Sequence, residues 1–328
     1  MIPRQGDARN VARMRSPMPI TPAVQQRIDA WNAASSSFGP LLMGQPGDWA
    51  VEREKYVEVL AQHPTPDGVS ISKIDMGGVA ATVVTPEEAE EGRALLYIHG
   101  GGYIAGSPSA YHGLAGHYAK LLKAVVYMPD YRLAPEHPFP AAIDDTLASY
   151  KWLLDNGHEP KSIAFSGDSA GGAMVVSVMV AARNAGLALP SAGVAISPWA
   201  NLDHSGSSMR TRDGIDPTVS LTGLELMAKA FLNGALKNNP DASPVFADVR
   251  GLPPIMVQIG ESEVMLSDAM RLATHLAENR VRVSLEVWPG MFHVWHMFAA
   301  ILPEGMQALE GAATFLENAL STNEDLNR

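Results

Sequence analysis

The chain has 328 residues, 46% hydrophobic and 18% charged, a composition typical of a globular protein that can bury a large core. A formal net charge of −11 disfavours nucleic acid and anionic membrane surfaces as partners and favours a small neutral or cationic substrate. The absence of cysteine excludes disulfides, thiolate catalysis and cysteine-bound metals, and it fits a cytoplasmic location. No stretch of about 18 apolar residues occurs, so we expect no membrane span and no stable membrane association.

The first 60 residues predict an N-terminal arm followed by helices. Residues 1–19 carry four arginines without the apolar core of a secretory signal, so we expect an irregular arm there. Thr21 and Pro22 form a good helix start, and Val24, Ile28 and Trp31 follow at helical spacing. A second helix is predicted over residues 48–60.

From residue 69 the pattern changes to that of a sheet. Alternating apolar residues around Gly77-Gly78 predict a β-hairpin over residues 69–84. Apolar runs then alternate with helical segments, which predicts a mostly parallel sheet with helices on both faces. The further strands are predicted over 94–98, 124–128, 162–165, 193–196, 255–259 and 281–287, which makes eight with the hairpin. The helices are predicted over about 110–122, 141–156, a segment ending near 186, 264–279 and 306–320.

Residues 198–250 interrupt this alternation. They are rich in loop-forming residues and contain one predicted helix, at 221–233. A connection of this length is usually functional. We therefore expect residues 198–250 and residues 1–60 to form a helical cap over a catalytic domain of residues 61–328.

Residues 165–172, Phe-Ser-Gly-Asp-Ser-Ala-Gly-Gly, carry the strongest functional signal. They end an apolar strand and open an apolar helix, the setting of a nucleophile elbow, with Ser169 at the sharp turn. Gly167 and Gly171 flank this serine at positions where a Cβ would collide with the adjoining strand or helix. The pentapeptide alone is a weak signal, and its bland alternative is a glycine-rich turn.

A second glycine-rich segment, His99-Gly100-Gly101-Gly102, directly follows the predicted strand 94–98. Backbone amides that are free of side chains can bind a developing oxyanion, and we expect this role for Gly101, Gly102 and the amide of Ala170. The alternative is a flexible glycine turn. His99 is expected to brace the loop.

The general base and its acid should follow the last two strands. His293 follows the last strand by a short turn, whereas its rival His296 falls where the next helix would begin. Glu263 lies about four residues past the preceding strand and is the preferred acid. Glu261 lies too close to the strand, and Asp268 lies one turn into the helix, where we expect it to face solvent.

Four segments together resemble the bacterial hormone-sensitive-lipase-like esterases of the α/β-hydrolase superfamily. They are His-Gly-Gly-Gly at 99–102, Asp-Tyr-Arg-Leu-Ala-Pro-Glu at 130–136, Gly-Asp-Ser-Ala-Gly-Gly at 167–172 and Pro-Gly-Met-Phe-His at 289–293. The resemblance covers roughly residues 70–320. It implies an α/β-hydrolase fold with a cap and a carboxylesterase of short acyl esters that needs no metal or organic cofactor, often a homodimer. Most members carry aspartate in the acid loop, where this chain reads Glu-Ser-Glu at 261–263.

Two further predictions concern supporting residues. Arg132 is expected to pair with Asp130 or Glu136 in a buried network beneath the glycine loop, the alternative being a solvated turn. Asp168 is expected to anchor the elbow. Candidates for the pocket lining, each of which could equally be a packing residue, are Phe38, Tyr103, Trp199, Met209 and Phe231.

These residues predict acyl transfer through Ser169, His293 and Glu263, with an acyl-enzyme intermediate. A receptor on the same fold is the alternative from another class, and in such receptors the histidine is lost. A long-chain lipase is a third possibility, although residues 198–250 lack a strongly amphipathic, aromatic-rich lid. An amidase or carbamate hydrolase would use the same residues.

Overall fold

An eight-stranded sheet runs through the molecule in the order β1-β2-β4-β3-β5-β6-β7-β8. The computed structural model describes residues 20–321, and the arm predicted for residues 1–19 lies outside the described residues. The strands are β1 (Val69–Asp75), β2 (Ala80–Pro86), β3 (Ala94–Ile98), β4 (Val125–Pro129), β5 (Ile163–Asp168), β6 (Gly193–Ile196), β7 (Ile255–Gly260) and β8 (Val283–Trp288). β2 pairs antiparallel with β1 and β4, and the remaining pairs are parallel. The predicted mostly parallel eight-stranded sheet is therefore confirmed.

Helices flank this sheet and precede it in the chain. They are α1 (Pro22–Ser36), α2 (Phe38–Leu42), α3 (Trp49–Leu60), α4 (His112–Leu122), α5 (Ala141–Asp155), α6 (Ala170–Asn184), α7 (Ser208–Thr211), α8 (Leu221–Leu232), α9 (Leu266–Glu278) and α10 (Pro303–Ser321). The start of α1 follows from its sequence, because the Thr21 hydroxyl accepts a hydrogen bond from the amide of Val24 at 3.3 Å. Asp48 caps α3 in the same way through the amide of Ala50, at 2.9 Å.

The core lies on both faces of the central strands. Every residue of β3, β5, β6 and β7 is buried, as expected for parallel strands that helices cover on both sides. The edge strand β8 alternates between partly buried and exposed residues instead. Truncation of a fully buried leucine such as Leu95 or Leu96 to alanine should cost about 2–5 kcal/mol of unfolding free energy.

The register of the sheet brings four loops to one edge. Ile98 of β3 lies opposite Gly167 of β5, so the glycine loop and the serine turn begin side by side. Farther along the same carboxyl edge, Gly260 of β7 lies opposite Trp288 of β8, which places the acid and histidine loops next to each other. The carboxyl edge of a parallel sheet, where its strand order reverses, is the usual place for a ligand site.

Helices α1 and α2 meet α8 or the loop before it, and α3 packs against α1. The indole nitrogen of Trp31 in α1 donates to the hydroxyl of Tyr56 in α3 at 3.2 Å, which ties these two helices together. α2 packs against α8, and the Asn32 amide donates to the carbonyl of Pro217. Within residues 20–321, none of the helices combines the length and apolarity that a membrane crossing requires.

Candidate active site

Ser169 occupies a strained turn between β5 and α6. Its backbone has φ 56° and ψ −118°, a conformation that costs a non-glycine residue about 1–3 kcal/mol. The surroundings enforce it, since the Ser169 amide donates to the carbonyl of Ile196 at 2.9 Å. A Cβ on Gly171 would lie 2.0 Å from the Ile98 carbonyl oxygen, and one on Gly167 would lie 2.6 Å from the Gly171 carbonyl oxygen. The collisions predicted for both glycines are therefore present.

The glycine loop turns back on itself directly after β3. The Gly101 carbonyl accepts hydrogen bonds from the amides of Ile104 at 3.1 Å and Ala105 at 3.0 Å. Gly101 has φ +113°, and a Cβ there would lie 2.1 Å from the Ala105 carbonyl oxygen, so only glycine fits. Within residues 20–321, the amides of Gly101, Gly102 and Ala170 have no hydrogen-bond acceptor. Ala170 is also the first residue of α6, and the helix dipole favours negative charge near its amide.

Asp168 holds the two loops together. One of its carboxylate oxygens accepts from the Tyr97 hydroxyl at 2.7 Å and from the Gly100 amide at 3.0 Å. The other accepts from the Tyr111 hydroxyl at 3.1 Å. Burial raises the pKa of Asp168 to about 6, although these donors favour its charged form. Because Asp168 precedes Ser169 in the chain, this carboxylate joins the glycine loop to the elbow, as its predicted anchoring role requires.

His293 and Glu263 form a buried pair. The distance from His293 Nδ1 to Glu263 Oε2 is 2.9 Å. Glu263 Oε1 accepts from the Ser197 hydroxyl and from the Gly260 amide, both at 2.7 Å. The Ser197 hydroxyl oxygen in turn accepts from the Val294 amide at 3.2 Å, so it joins the acid and histidine loops. A carboxylate on Nδ1 fixes the proton there and leaves Nε2 as the basic nitrogen.

The electrostatics around His293 favour its protonated form. Burial by itself would lower the pKa of His293, but the net direction is upward because of the hydrogen bond and charge of Glu263, followed by the charges of Asp216 and Asp168. Burial raises the pKa of Asp216 to about 6; the positive charge of His293 opposes this rise, and Glu263 adds to it. Three carboxylates therefore surround one imidazole.

Sequence reasoning missed Ser197 and Asp216. Ser197 directly follows β6, which lies in the sheet between β5, the strand before the nucleophile, and β7, the strand before the acid. Its position at the carboxyl end of that strand was the available signal. Asp216 lies in the long loop before α8, and no local pattern marks it. Its carboxylate accepts from the amides of Thr218 and Val264, at 3.0 Å and 3.3 Å.

The rival acids and base lie elsewhere. The ring of His296 is buried with Nε2 3.0 Å from the Gln258 amide oxygen, and burial lowers its pKa to about 3. Glu261 pairs with Arg212 at 2.6 Å and is 42% exposed. The expectation that Asp268 faces solvent is wrong: it is fully buried, because it shares the inner face of α9 with Leu272. Burial raises the pKa of Asp268 to about 8.

The segment 130–136 also differs from its prediction. Arg132 pairs with Asp145 of α5 at 2.7 Å, not with Asp130 or Glu136, and it is half exposed, so the expected buried network is wrong. The segment supports the glycine loop by another route. The Tyr131 hydroxyl donates to the His99 carbonyl at 2.7 Å.

The bracing role expected for His99 agrees with its surroundings. Its ring stacks on that of Tyr131 with centroids 4.1 Å apart, and its Nδ1 lies 2.7 Å from the Gly100 carbonyl oxygen. Burial lowers the pKa of His99 to about 4, which keeps the ring neutral. The histidine therefore packs beneath the loop without adding charge to the site.

Ser169 and His293 border one cavity of about 530 Å³. Gly101, Gly102 and Asp216 border it as well. Its walls are mostly apolar side chains from the helices, together with Met43 directly after α2: Trp31, Phe38, Leu42, Met43, Tyr56, Leu224 and Met227.

Of the five residues predicted to line the pocket, Phe38 and Trp199 do so. Tyr103, Met209 and Phe231 are buried and do not border the cavity. The rings of Tyr103 and Phe231 stack on each other, with centroids 3.7 Å apart, so they serve packing. For these three residues the packing alternative holds.

Comparisons with known proteins agree with this geometry. The family profile of the alpha/beta hydrolase fold matches residues 95–297. An acetyl-hydrolase of Streptomyces hygroscopicus is 41% identical over 246 residues, which are 75% of this chain and 82% of the relative. A solved esterase from the bacterial hormone-sensitive lipase family is 38% identical with a TM-score of 0.86, over 92% of this chain and 100% of that one. EstE5, in a crystal soaked with p-nitrophenyl butyrate, is 37% identical with a TM-score of 0.80, over 88% of this chain and 99% of its own.

The chain belongs to the bacterial hormone-sensitive-lipase-like esterases of the α/β-hydrolase superfamily. This esterase is therefore a serine hydrolase of carboxylic esters. The segment that matches the family profile contains both glycine-rich loops, the acid loop and the histidine. The helices of residues 20–60 lie outside that segment, although they supply much of the cavity wall.

Proposed function

We propose that this esterase hydrolyses short-chain acyl esters through Ser169, His293 and Glu263 with an acyl-enzyme intermediate. The observation that carries the proposal is the 2.9 Å bond between His293 and Glu263 at the wall of the cavity that Ser169 borders. Glu263 accepts three hydrogen bonds, which is the environment of a carboxylate that orients an imidazole.

The reaction has two halves. The Ser169 hydroxyl oxygen attacks the ester carbonyl carbon while His293 Nε2 takes the hydroxyl proton, and the carbonyl oxygen becomes an oxyanion. The amides of Gly101, Gly102 and Ala170 stabilise this charge, each donor contributing about 10²–10³ in rate. His293 returns the proton to the departing alcohol. Water then attacks the acyl-enzyme with the same base, which releases the carboxylic acid and restores the serine.

Support for a short acyl chain comes from a related protein. The cavity itself, about 530 Å³ and bordered by residues of α1–α3 and of α8 with its preceding loop, has room for longer chains as well. The related EstE5 has been crystallised after a soak with p-nitrophenyl butyrate. Turnover of p-nitrophenyl esters with acyl chains of two to sixteen carbons tests this point. A maximum at two to six carbons is expected, and a maximum at twelve or more would indicate a lipase.

Contacts between the N-terminal helices and the segment before β7 support a two-part cap. Residues 20–60 and 198–250 touch through the Asn32–Pro217 hydrogen bond and through the packing of α2 on α8, and both border the cavity. We propose that these segments together cover the catalytic domain.

The role of the serine is tested by Ser169→Ala, which should abolish turnover of p-nitrophenyl acetate and butyrate while the protein remains folded by circular dichroism. Stoichiometric labelling of the wild type, but not of this variant, by an organophosphate would separate the esterase from a non-catalytic receptor. Turnover by Ser169→Ala at the wild-type rate would refute the proposed mechanism.

A further inference from the structure

Arg53 of helix α3 reaches out of the N-terminal helices to the base of the glycine loop. Its side chain is 19% exposed, and its guanidinium makes polar contacts in three directions. Nε donates to the Ile104 carbonyl at 2.7 Å, and Nη2 donates to the Ala134 carbonyl at 2.8 Å. Both terminal nitrogens bind the Glu136 carboxylate, at 2.9 Å and 2.7 Å. A planar, five-donor guanidinium suits this arrangement, whereas an ammonium group has only one nitrogen to place.

The Ile104 carbonyl belongs to the turn that shapes the loop. The amide of Ile104 donates to the Gly101 carbonyl, and Arg53 binds the carbonyl of the same residue. The Ala134 amide donates to the Tyr103 carbonyl at 2.9 Å, and Arg53 also binds the Ala134 carbonyl. Arg53 therefore holds two backbone segments, at Ile104 and at Ala134. A hydrogen bond at Tyr103, directly after Gly101 and Gly102, joins these segments to each other.

The opposite end of the loop is held differently. Asp168 binds the Gly100 amide from the core of the catalytic domain, whereas Arg53 approaches from a helix whose Tyr56 borders the cavity. The far end of the glycine loop is thus fixed by the N-terminal helices, and its geometry depends on where those helices sit.

We propose that Arg53 is a positioning residue for the oxyanion amides and that it couples the seating of helix α3 to transition-state stabilisation. The proposal rests on the proposed function, because it assigns Gly101 and Gly102 as oxyanion donors. Arg53 does not border the cavity that Ser169 borders, so it acts through the turn of residues 101–105.

A role limited to stability would look different. Glu136 is 45% exposed, and ion pairs of this exposure contribute little to folding. The contacts of Arg53 to backbone carbonyls remain when Glu136 is neutralised. Loss of the guanidinium should therefore reduce kcat more than loss of the ion pair does.

The experiment compares Arg53→Met, Arg53→Lys and Glu136→Gln in the full chain, with Arg250→Met as a matched control in which an exposed arginine paired with Asp248 is removed. Steady-state turnover of p-nitrophenyl butyrate gives kcat and KM, and thermal melting reports stability. We expect Arg53→Met to lower kcat about 10- to 100-fold with KM within about threefold, since displaced oxyanion donors are weakened but not removed. Arg53→Lys should recover part of this loss, and both Glu136→Gln and Arg250→Met should stay within about threefold of wild type.

Two further readouts separate this proposal from the proposed function. Hydrogen–deuterium exchange of the peptide around residues 100–106 should be faster in Arg53→Met than in Arg250→Met, and this measurement needs no activity. An inactive wild type, or an active Ser169→Ala, counts against the proposed function alone. Unchanged kcat in Arg53→Met, equal losses in Arg53→Met and Glu136→Gln, a loss confined to KM, or unchanged exchange in residues 100–106 would overturn the role of Arg53.

Discussion

Replacement of Glu263 by glutamine tests the acid of the proposed triad. In the wild type one carboxylate oxygen accepts from His293, and the other accepts from Ser197 and Gly260. A glutamine has one oxygen for these two sides. If its NH₂ group faced the Gly260 amide, two donors that cannot rotate away would meet in a buried place, at a cost of about 1–3 kcal/mol.

The glutamine NH₂ group should therefore face His293 Nδ1, since the amide of Gly260 is fixed in the backbone. Nδ1 must then accept a hydrogen bond, which moves the ring proton to Nε2, the nitrogen that should act as base. Such a tautomer change should lower kcat about 10³- to 10⁴-fold, equivalent to about 4–5.5 kcal/mol of transition-state free energy.

The assay is steady-state turnover of p-nitrophenyl butyrate by Glu263→Gln, with Glu261→Gln and Asp268→Asn as matched controls for the two rival acids. Both controls should retain activity within about threefold, because Glu261 is paired at the surface and Asp268 lies on the inner face of α9. Full activity in Glu263→Gln, or a comparable loss in either control, would refute the assignment of the acid.

Three further outcomes follow from the same contacts. Because the pKa of His293 is raised, kcat/KM should increase with pH through a midpoint above its ordinary value of about 6.5, and Asp216→Asn should move this midpoint to lower pH; a midpoint that stays fixed in a pH–rate profile would contradict the electrostatics described. Gly171→Ala should lower the melting temperature steeply or prevent folding because its Cβ would meet a backbone oxygen at 2.0 Å, whereas Gly39→Ala, whose Cβ meets nothing within 4 Å, should melt near the wild type. Asp268 is a carboxyl group with a raised pKa, so the folded state loses stability as pH rises from about 4 towards 8. Asp268→Asn should remove this pH dependence and raise the unfolding free energy by at least about 1 kcal/mol at pH 8. Urea titrations in which the wild type and this variant differ by the same amount at every pH would contradict the raised pKa of Asp268.

The strands and the elbow could be predicted because their signals are local. The apolar runs of β3, β5, β6 and β7 are continuous in the sequence since each strand is buried on both faces. Gly167 and Gly171 mark a turn whose steric limits arise within a few residues of Ser169. The order of the loops after successive strands then sufficed to place Glu263 and His293 near each other.

The errors concern side chains whose neighbours are distant in sequence. Arg132 finds Asp145 because α5 packs beside its segment, and nothing in residues 130–136 reveals that helix. Asp268 is a polar residue on a face of α9 that is otherwise apolar. The helical periodicity predicted that this face is buried, whereas the charge of Asp268 suggested that its side chain faces solvent. The contact between Arg53 and Ile104 depends on how the N-terminal helices sit on the domain, which no motif encodes.

The residues that border the cavity come from separate stretches of the chain. One set lies in the turns that follow the strands, around Gly101, Ser169 and His293, whereas most of the others lie in residues 31–43 and 214–227. Mutational libraries confined to those two segments, with Asp216 kept because its charge acts on His293, should therefore alter which esters are accepted while leaving the reacting groups unchanged. A chain built in this way allows selectivity to diversify in evolution without rebuilding the chemistry beneath it.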